Sequence, residues 1–467
     1  MSANTHDEVV IADRELLAPS DLRSAARRLA YRTVTDLARR SAWEALGYRD
    51  FRLYFFGSLA SNMGTWMQNT AQVLLVYKLT HSVFAVGVIT CAQFSGFLLL
   101  GPWAAVVARH VGGKRTLIAA QLASAGIAGY LAVLQVTGAL GERALIIGAA
   151  GLGLIFTFAL PIQTELVPRL VPGRPASTAA AMAMNSVSYN IGRAVAPVIC
   201  VLVVITDGFT FVFLANGISF LVYLALLVAI RPRPAPHAPQ RVRAREGLLV
   251  AFGQPRILLL LAMVAAVTLA DDPILIQGPA IAGHALHGSN ELPGFFLTAL
   301  GLGTVVGSLR PTKDPRGWSA SRTSKRAAIW LIVLFVAIVV FALGHWVWLS
   351  IVAAFVAGVA GLHMGALTQT QLTWYRPEHM ASVMALWAIA WAGTKPIASF
   401  ADGLLSSHLP LWQAAAILAA PALILGLGEL LLFKKFRLSI KKFGNSRVAN
   451  WFSPPSPLAA APQPVHQ

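Results

Sequence analysis

Four ionic side chains stand inside stretches that are otherwise apolar: Arg193, Asp271, Asp272 and Lys395. A charge at the centre of a lipid bilayer costs about 2.5–3.5 kcal/mol on insertion scales, so such groups face a wet cavity or an opposite charge. Lys395 shares a stripe with Trp387, Trp391, Ser399 and Asp402, spaced as a helix would place them on one side. Along that helix Lys395 and Asp402 are about 10 Å apart, so they pair only if both side chains stretch. Asp271 and Asp272 are neighbours and point about 100° apart, so at most one faces a cavity squarely. Pro273 follows them, removes a backbone donor and predicts a bend. Arg193 shares its face with Ser186, Asn190 and Pro197, and another stretch aligns Asn62, Trp66, Asn69 and Gln72, flanked by Gln68. The chemistry these types offer is binding and proton exchange. Lys395 and Arg193 suit anionic or catecholate-like groups, and the tryptophans suit flat rings. An acid that changes its cationic partner gains or loses a proton, which makes Asp271, Asp272 and Asp402 the candidate coupling residues. The same charges would also serve as fixed salt bridges.

The elements that position these residues follow from composition. The chain has 467 residues, 56% hydrophobic and 12% charged, against about a quarter charged in soluble domains. Apolar stretches of about 20 residues recur throughout, each long enough to cross a bilayer. The sequence predicts an all-α polytopic membrane protein with twelve spans. They fall at about 51–77, 83–108, 116–138, 144–166, 176–206 and 208–230, then at about 257–283, 293–309, 326–345, 347–372, 379–405 and 410–433. Cys91 and Cys200 lie inside such stretches, which suits small buried side chains better than a disulfide.

With the N-terminus inside, nearly all basic residues outside the spans collect on one side, and the other side keeps only Lys78 and Arg143. That asymmetry predicts cytoplasmic termini in an inner membrane. It also accounts for the net charge of +18 without nucleic acid. Residues 1–50 form a polar tail whose 20–46 stretch has the pattern of an interfacial helix. The Arg- and Pro-rich segment 231–256 separates six-helix units at 51–230 and 257–433, and suits anionic headgroups; 434–467 is a second tail. An internal repeat agrees: "QTEL" at 163–166 returns as "QTQL" at 369–372, and "GPWAA" at 101–105 has a glycine-spaced counterpart in "GTVVG" at 303–307. Gly303/Gly307 and Gly361/Gly365 have the spacing of close helix packing.

Four segments carry a resemblance: "FRLYFFGSLASNMGTWMQNTAQVLLVYKLTHSVFAVG" (51–87), "LLLGPWAAVVARHVGGKRTLI" (98–118), "LPIQTELVPRLVPGRPASTAAAMAMNSVSYNIGRAVAPVI" (160–199) and "MALWAIAWAGTKPIAS" (384–399). They resemble the enterobactin-exporter-like branch of the major facilitator superfamily. The resemblance implies two pseudo-symmetric six-helix halves around a central cavity and proton-driven export of a siderophore or drug-like molecule. It departs at one loop, where Arg109 takes the place of the family's aspartate, His110 that of its arginine and Ala105 that of a glycine, while Lys114 and Arg115 keep the basic pair. The charge of that cytoplasmic latch is thereby reversed. Arg109, Lys114, Arg115, Glu165, Arg169 and Arg376 are the candidate gate residues.

Other classes find less support. The eleven histidines are scattered, with only His284 and His287 close, so neither a metal centre nor an enzyme is expected. No phosphate-cradling GxxxxGK[ST] loop is present, so the expected energy source is a proton gradient and no cofactor. The expected partners are a small-molecule substrate and anionic lipid, in a monomer. A lipid or lysophospholipid translocase of the same fold and a non-transporting membrane sensor are the alternatives.

Overall fold

In the computed structural model, residues 44–111, 113–233, 251–285, 292–309, 320–344, 346–375 and 380–443 are described, without the side chains of 101–111, 175, 284–285, 309, 320–321, 373–375, 380–382, 385 and 432–443. The interfacial helix expected over 20–46 lies almost wholly outside them, as do most of the 231–256 segment, Arg376 and the side chain of Arg109.

The described chain is helical. The first half holds α1 (Arg49–Thr80), α2 (Val83–Val111), α3 (Gly113–Val136), α4 (Glu142–Leu166), α5 (Pro175–Thr206) and α6 (Phe209–Ala229). The second holds α7 (Pro255–Ile276), α8 (Leu292–Leu309), α9 (Ala320–Leu343), α10 (Val347–Tyr375), α11 (Met380–Ala388), α12 (Thr394–His408) and α13 (Leu411–Phe443). Among the described residues nine helices are long and apolar enough to cross a membrane. The other expected spans miss that mark for visible reasons: α1 carries many polar residues, the apolar part of α8 is short, and α11 and α12 are two pieces of one run.

Each half packs on itself. α1 lies on α5 and α6, α2 on α4, and α3 on α4 and α6; α7 lies on α10, α12 and α13, α8 on α10, and α9 on α10 and α13. Across the interface α2 meets α12 and α5 meets α8. Both crossings are close because glycine backbone meets backbone. A β-carbon on Gly87 would lie 2.5 Å from the Ser399 carbonyl oxygen, and one on Gly403 would lie 3.1 Å from Gly87 Cα. One on Gly301 would lie 2.8 Å from the Arg193 carbonyl oxygen. The Gly87–Gly403 contact, with an apolar cluster that joins Val73, Val76 and Ile89 to Ile276, closes the end of the bundle far from the 231–256 segment, while the Gly301 contact lies midway along α8, level with Arg193.

Helix α7 continues through Pro273 to Ile276, and Gln277 beyond it keeps a right-handed helical conformation with its N–H on the Pro273 carbonyl. The α11–α12 run holds an unexpected feature, a π-helical turn at Ile389–Gly393. Pro396 has no N–H for the carbonyl one helical turn back, which favours such a bulge. Thr268 of α7 donates to the carbonyl of Trp391, within this turn, at 3.2 Å. Of the small-residue pairs, Gly303 and Gly307 do meet the α10 backbone, whereas Gly361 and Gly365 line the larger chamber, with the Val267 side chain 3.4 Å from a β-carbon on Gly361 and nothing near one on Gly365.

Candidate functional site

Two connected chambers lie between the halves, with empty volumes of about 950 and 1690 Å³. Both are lined by Phe156, Tyr189, Arg193, Asp271, Leu300 and Trp391. The larger one runs to Thr164, Ser308 and Gln369, which are exposed where α4, α8 and α10 end, so it opens at the linker end of the bundle. Gln163 and Gln369, at matching places in the internal repeat, both line it.

The four buried charges meet in this shared zone. Lys395 at the start of α12 contacts Asp272 directly, and its Nζ lies 3.8 Å from Asp271 Oδ1. Arg193 of α5 reaches across from the first half to Asp271 Oδ2 at 3.6 Å. Asp272 has a wholly buried side chain, whereas Arg193 and Asp271 each keep 18% exposure. The two neighbouring carboxylates therefore divide as helix geometry requires, one toward the chamber and one away from it. The Arg193 guanidinium sits 5.9 Å from the centre of the Trp66 ring, and Trp66 meets Tyr189 edge-on at 5.8 Å. Trp387 and Trp391 stack at 6.4 Å with a 13° angle between planes.

Of the other expected binding residues, Trp66 and Asn69 line the smaller chamber, and Asn62, Asn190 and Trp387 the larger. Asn62 donates to Ser188 at 3.1 Å, tying α1 to α5. Gln68 is turned away: it is fully buried and accepts a 2.7 Å hydrogen bond from Asn216 of α6. Asp402 lines neither chamber. It accepts from Gln277 at 2.7 Å and Ser406 at 3.0 Å, and so ties the end of α7 to α12 instead of pairing with Lys395. Of the expected gate residues that are described, Lys114, Glu165 and Arg169 make contacts on the first half's side. Lys114 donates to the carbonyls of Val228 and Ile230 at 3.0 and 2.7 Å, where a cation caps the end of α6. Arg169 donates to the Arg233 carbonyl at 2.8 Å and lies 3.8 Å from Glu165, and Arg115 is exposed.

Sequence reasoning missed several groups. Tyr189 stands four residues before Arg193, so the helical period was a sufficient signal for it. Arg256, counted with the basic linker, is the second residue of α7 and is buried. It donates to both Glu429 oxygens at 2.7 and 2.9 Å and to Gln371 at 3.0 Å, and contacts Ser324, so four helices are fastened at one point. Among the described residues no group of His, Cys, Asp and Glu could hold a metal ion.

The sequence pattern of the family described as transmembrane secretion effector matches residues 40–462. Among solved structures the chain is similar to a bacterial homologue of the human lysosomal transporter Spinster in an inward-facing, unoccupied conformation. That pair is 14% identical with a TM-score of 0.61, over 87% of this chain and 98% of that one. It is also similar to the nucleoside transporter NupG, at 12% identity and TM-score 0.63 over 82% and 99%. A peptide transporter, POT, aligns at 13% identity and TM-score 0.63 over 86% and 95%. At these identities the likeness is one of fold. No curated protein sequence matches the chain significantly.

Proposed function

Because this chain belongs to the transmembrane secretion effector family and has the fold of the major facilitator transporters, we propose that it is a proton-coupled exporter of a small organic molecule, siderophore or drug-like, working by alternating access. The observation that carries the reading is the Arg193–Asp271 pair: a cation from one half and an acid from the other meet in a chamber open at one end and shut at the other by glycine backbone. Substrate sits among Trp66, Tyr189, Trp391 and Arg193, with Lys395 behind them. Asp271 exchanges the proton as the halves part and its cationic partner withdraws. Asp272 holds Lys395 in place. Lys114, Arg169 and Glu165 brace the linker-end rim.

The basic residues on the linker side support an inner-membrane location with both termini cytoplasmic, beside anionic lipid. The reading takes the protein as a monomer. Everted membrane vesicles test it: a catecholate siderophore or a dye should accumulate on energisation. Accumulation should fall to the background of empty vesicles with a proton uncoupler, and equally with Asp271→Asn. Accumulation that survives both treatments would remove the proton from the mechanism.

A further inference from the structure

We propose that the molecule carried is a zwitterion, with an anionic group that takes the Arg193 guanidinium and a cationic group that takes the Asp271 carboxylate. This deepens the transport reading and rests on it. The charges in the shared zone are balanced in an uneven way. Lys395 and Asp272 contact directly, both belong to the second half, and the Asp272 side chain is wholly buried. Lys395 also lines the smaller chamber, with 17% exposure, but its charge is already met by this contact. Arg193 and Asp271 remain, both reachable from the chamber and 3.6 Å apart, beyond the range of a good charge-assisted hydrogen bond.

Both partners have capacity to spare. A guanidinium carries five N–H donors. Among the described residues the contacts of Arg193 are this carboxylate and the face of Trp66. Asp271 Oδ1 is buried without a hydrogen bond, and its second cation is the lysine already held by Asp272. Asp271 is also the one carboxylate among the described residues that lines either chamber.

A purely anionic ligand on Arg193 would strip Asp271 of its first cation and leave the site with a surplus negative charge. A purely cationic ligand on Asp271 would leave Arg193 with an aromatic ring alone. Either outcome strands a charge in a poorly solvated place, where an unpaired ion is costly. A ligand with both charges exchanges one loose pair for two close ones and leaves the site neutral. Phe156, Tyr189 and Trp391 surround the same spot, so a flat apolar body fits beside the charged groups. Since Arg193 and Asp271 come from opposite halves, such a ligand takes over the bond between them.

Three fluorescent probes of one shape separate the possibilities: Nε-dansyl-lysine carries both charges, dansylcadaverine lacks its carboxylate, and dansyl-aminohexanoate lacks its amine. Anisotropy titrations on the full chain in lipid nanodiscs should show the first binding at least about tenfold tighter than either of the others. Arg193→Gln should reduce its affinity to that of dansylcadaverine, and Asp271→Asn to that of dansyl-aminohexanoate. Equal affinities, tighter binding of a singly charged probe, or binding of none would overturn the assignment, and the unsubstituted protein alone decides it. Vesicle transport without this selectivity would sink the zwitterion and spare the exporter; selectivity without transport would do the reverse.

Discussion

Gly301→Ala tests whether the α5–α8 crossing between the halves is a seam that must part. The added β-carbon falls inside contact distance of the Ala194 backbone and 2.8 Å from the Arg193 carbonyl oxygen. Carbon atoms ordinarily meet at about 3.5–4.0 Å, so α8 must withdraw from α5 by on the order of 1 Å. Neither neighbour is a side chain that can swing aside. Overpacking of this kind typically costs about 1–3 kcal/mol. Under alternating access the cost falls on the far-closed conformation alone, which moves the ratio of far-open to far-closed molecules by about 5- to 150-fold. The assay is the rate at which a membrane-impermeant maleimide, added from the far side, labels Leu297→Cys in the smaller chamber, with Cys91→Ser and Cys200→Ser as background. Gly365→Ala is the control, because nothing lies within 4 Å of a β-carbon there. Labelling that rises no more with Gly301→Ala than with Gly365→Ala would refute the reasoning.

Two further outcomes follow from the buried charges. Asp272→Asn leaves Lys395 in a poor solvent without its close partner and should destabilise the protein by about 3–5 kcal/mol, with partial recovery in Asp272→Asn/Lys395→Met; thermal unfolding in detergent reads both. Glu429→Gln uncouples Arg256 and should cost a similar amount, about 3–5 kcal/mol, by the same measurement, while the three dansyl affinities stay as they are.

Much of the site was readable because lipid penalises charge. Arg193, Asp271, Asp272 and Lys395 each stood out as a cost needing a partner, and the structure brings all four together. Helix geometry also said that at most one carboxylate of the neighbouring pair would squarely face a cavity, but not which, since that depends on how α7 is rotated among its neighbours. Asp402 shows the limit more plainly. Its own helix offered Lys395 seven residues away, whereas its partner Gln277 is 125 residues distant. Arg256 and Glu429 are separated by 173 residues, and no local pattern links them. Gly303/Gly307 and Gly361/Gly365 have identical spacing and opposite surroundings, because spacing says nothing about which neighbour is present. The bulge at Ile389–Gly393 had a sequence cause in Pro396, yet the chain reads as one unbroken apolar run.

That bulge divides labour along a single crossing. The α12 part is pressed against α2, while the part before the bulge carries Trp387 and the bulge itself carries Trp391 on the chamber wall. A stiff rod would transmit any torque on α12 straight to those rings. Here the two lengths are joined by a π-helical turn, tethered sideways to α7 by the hydroxyl of Thr268. Under the proposed alternating access, a swivel of α12 reaches those rings through this turn and not through one unbroken helix.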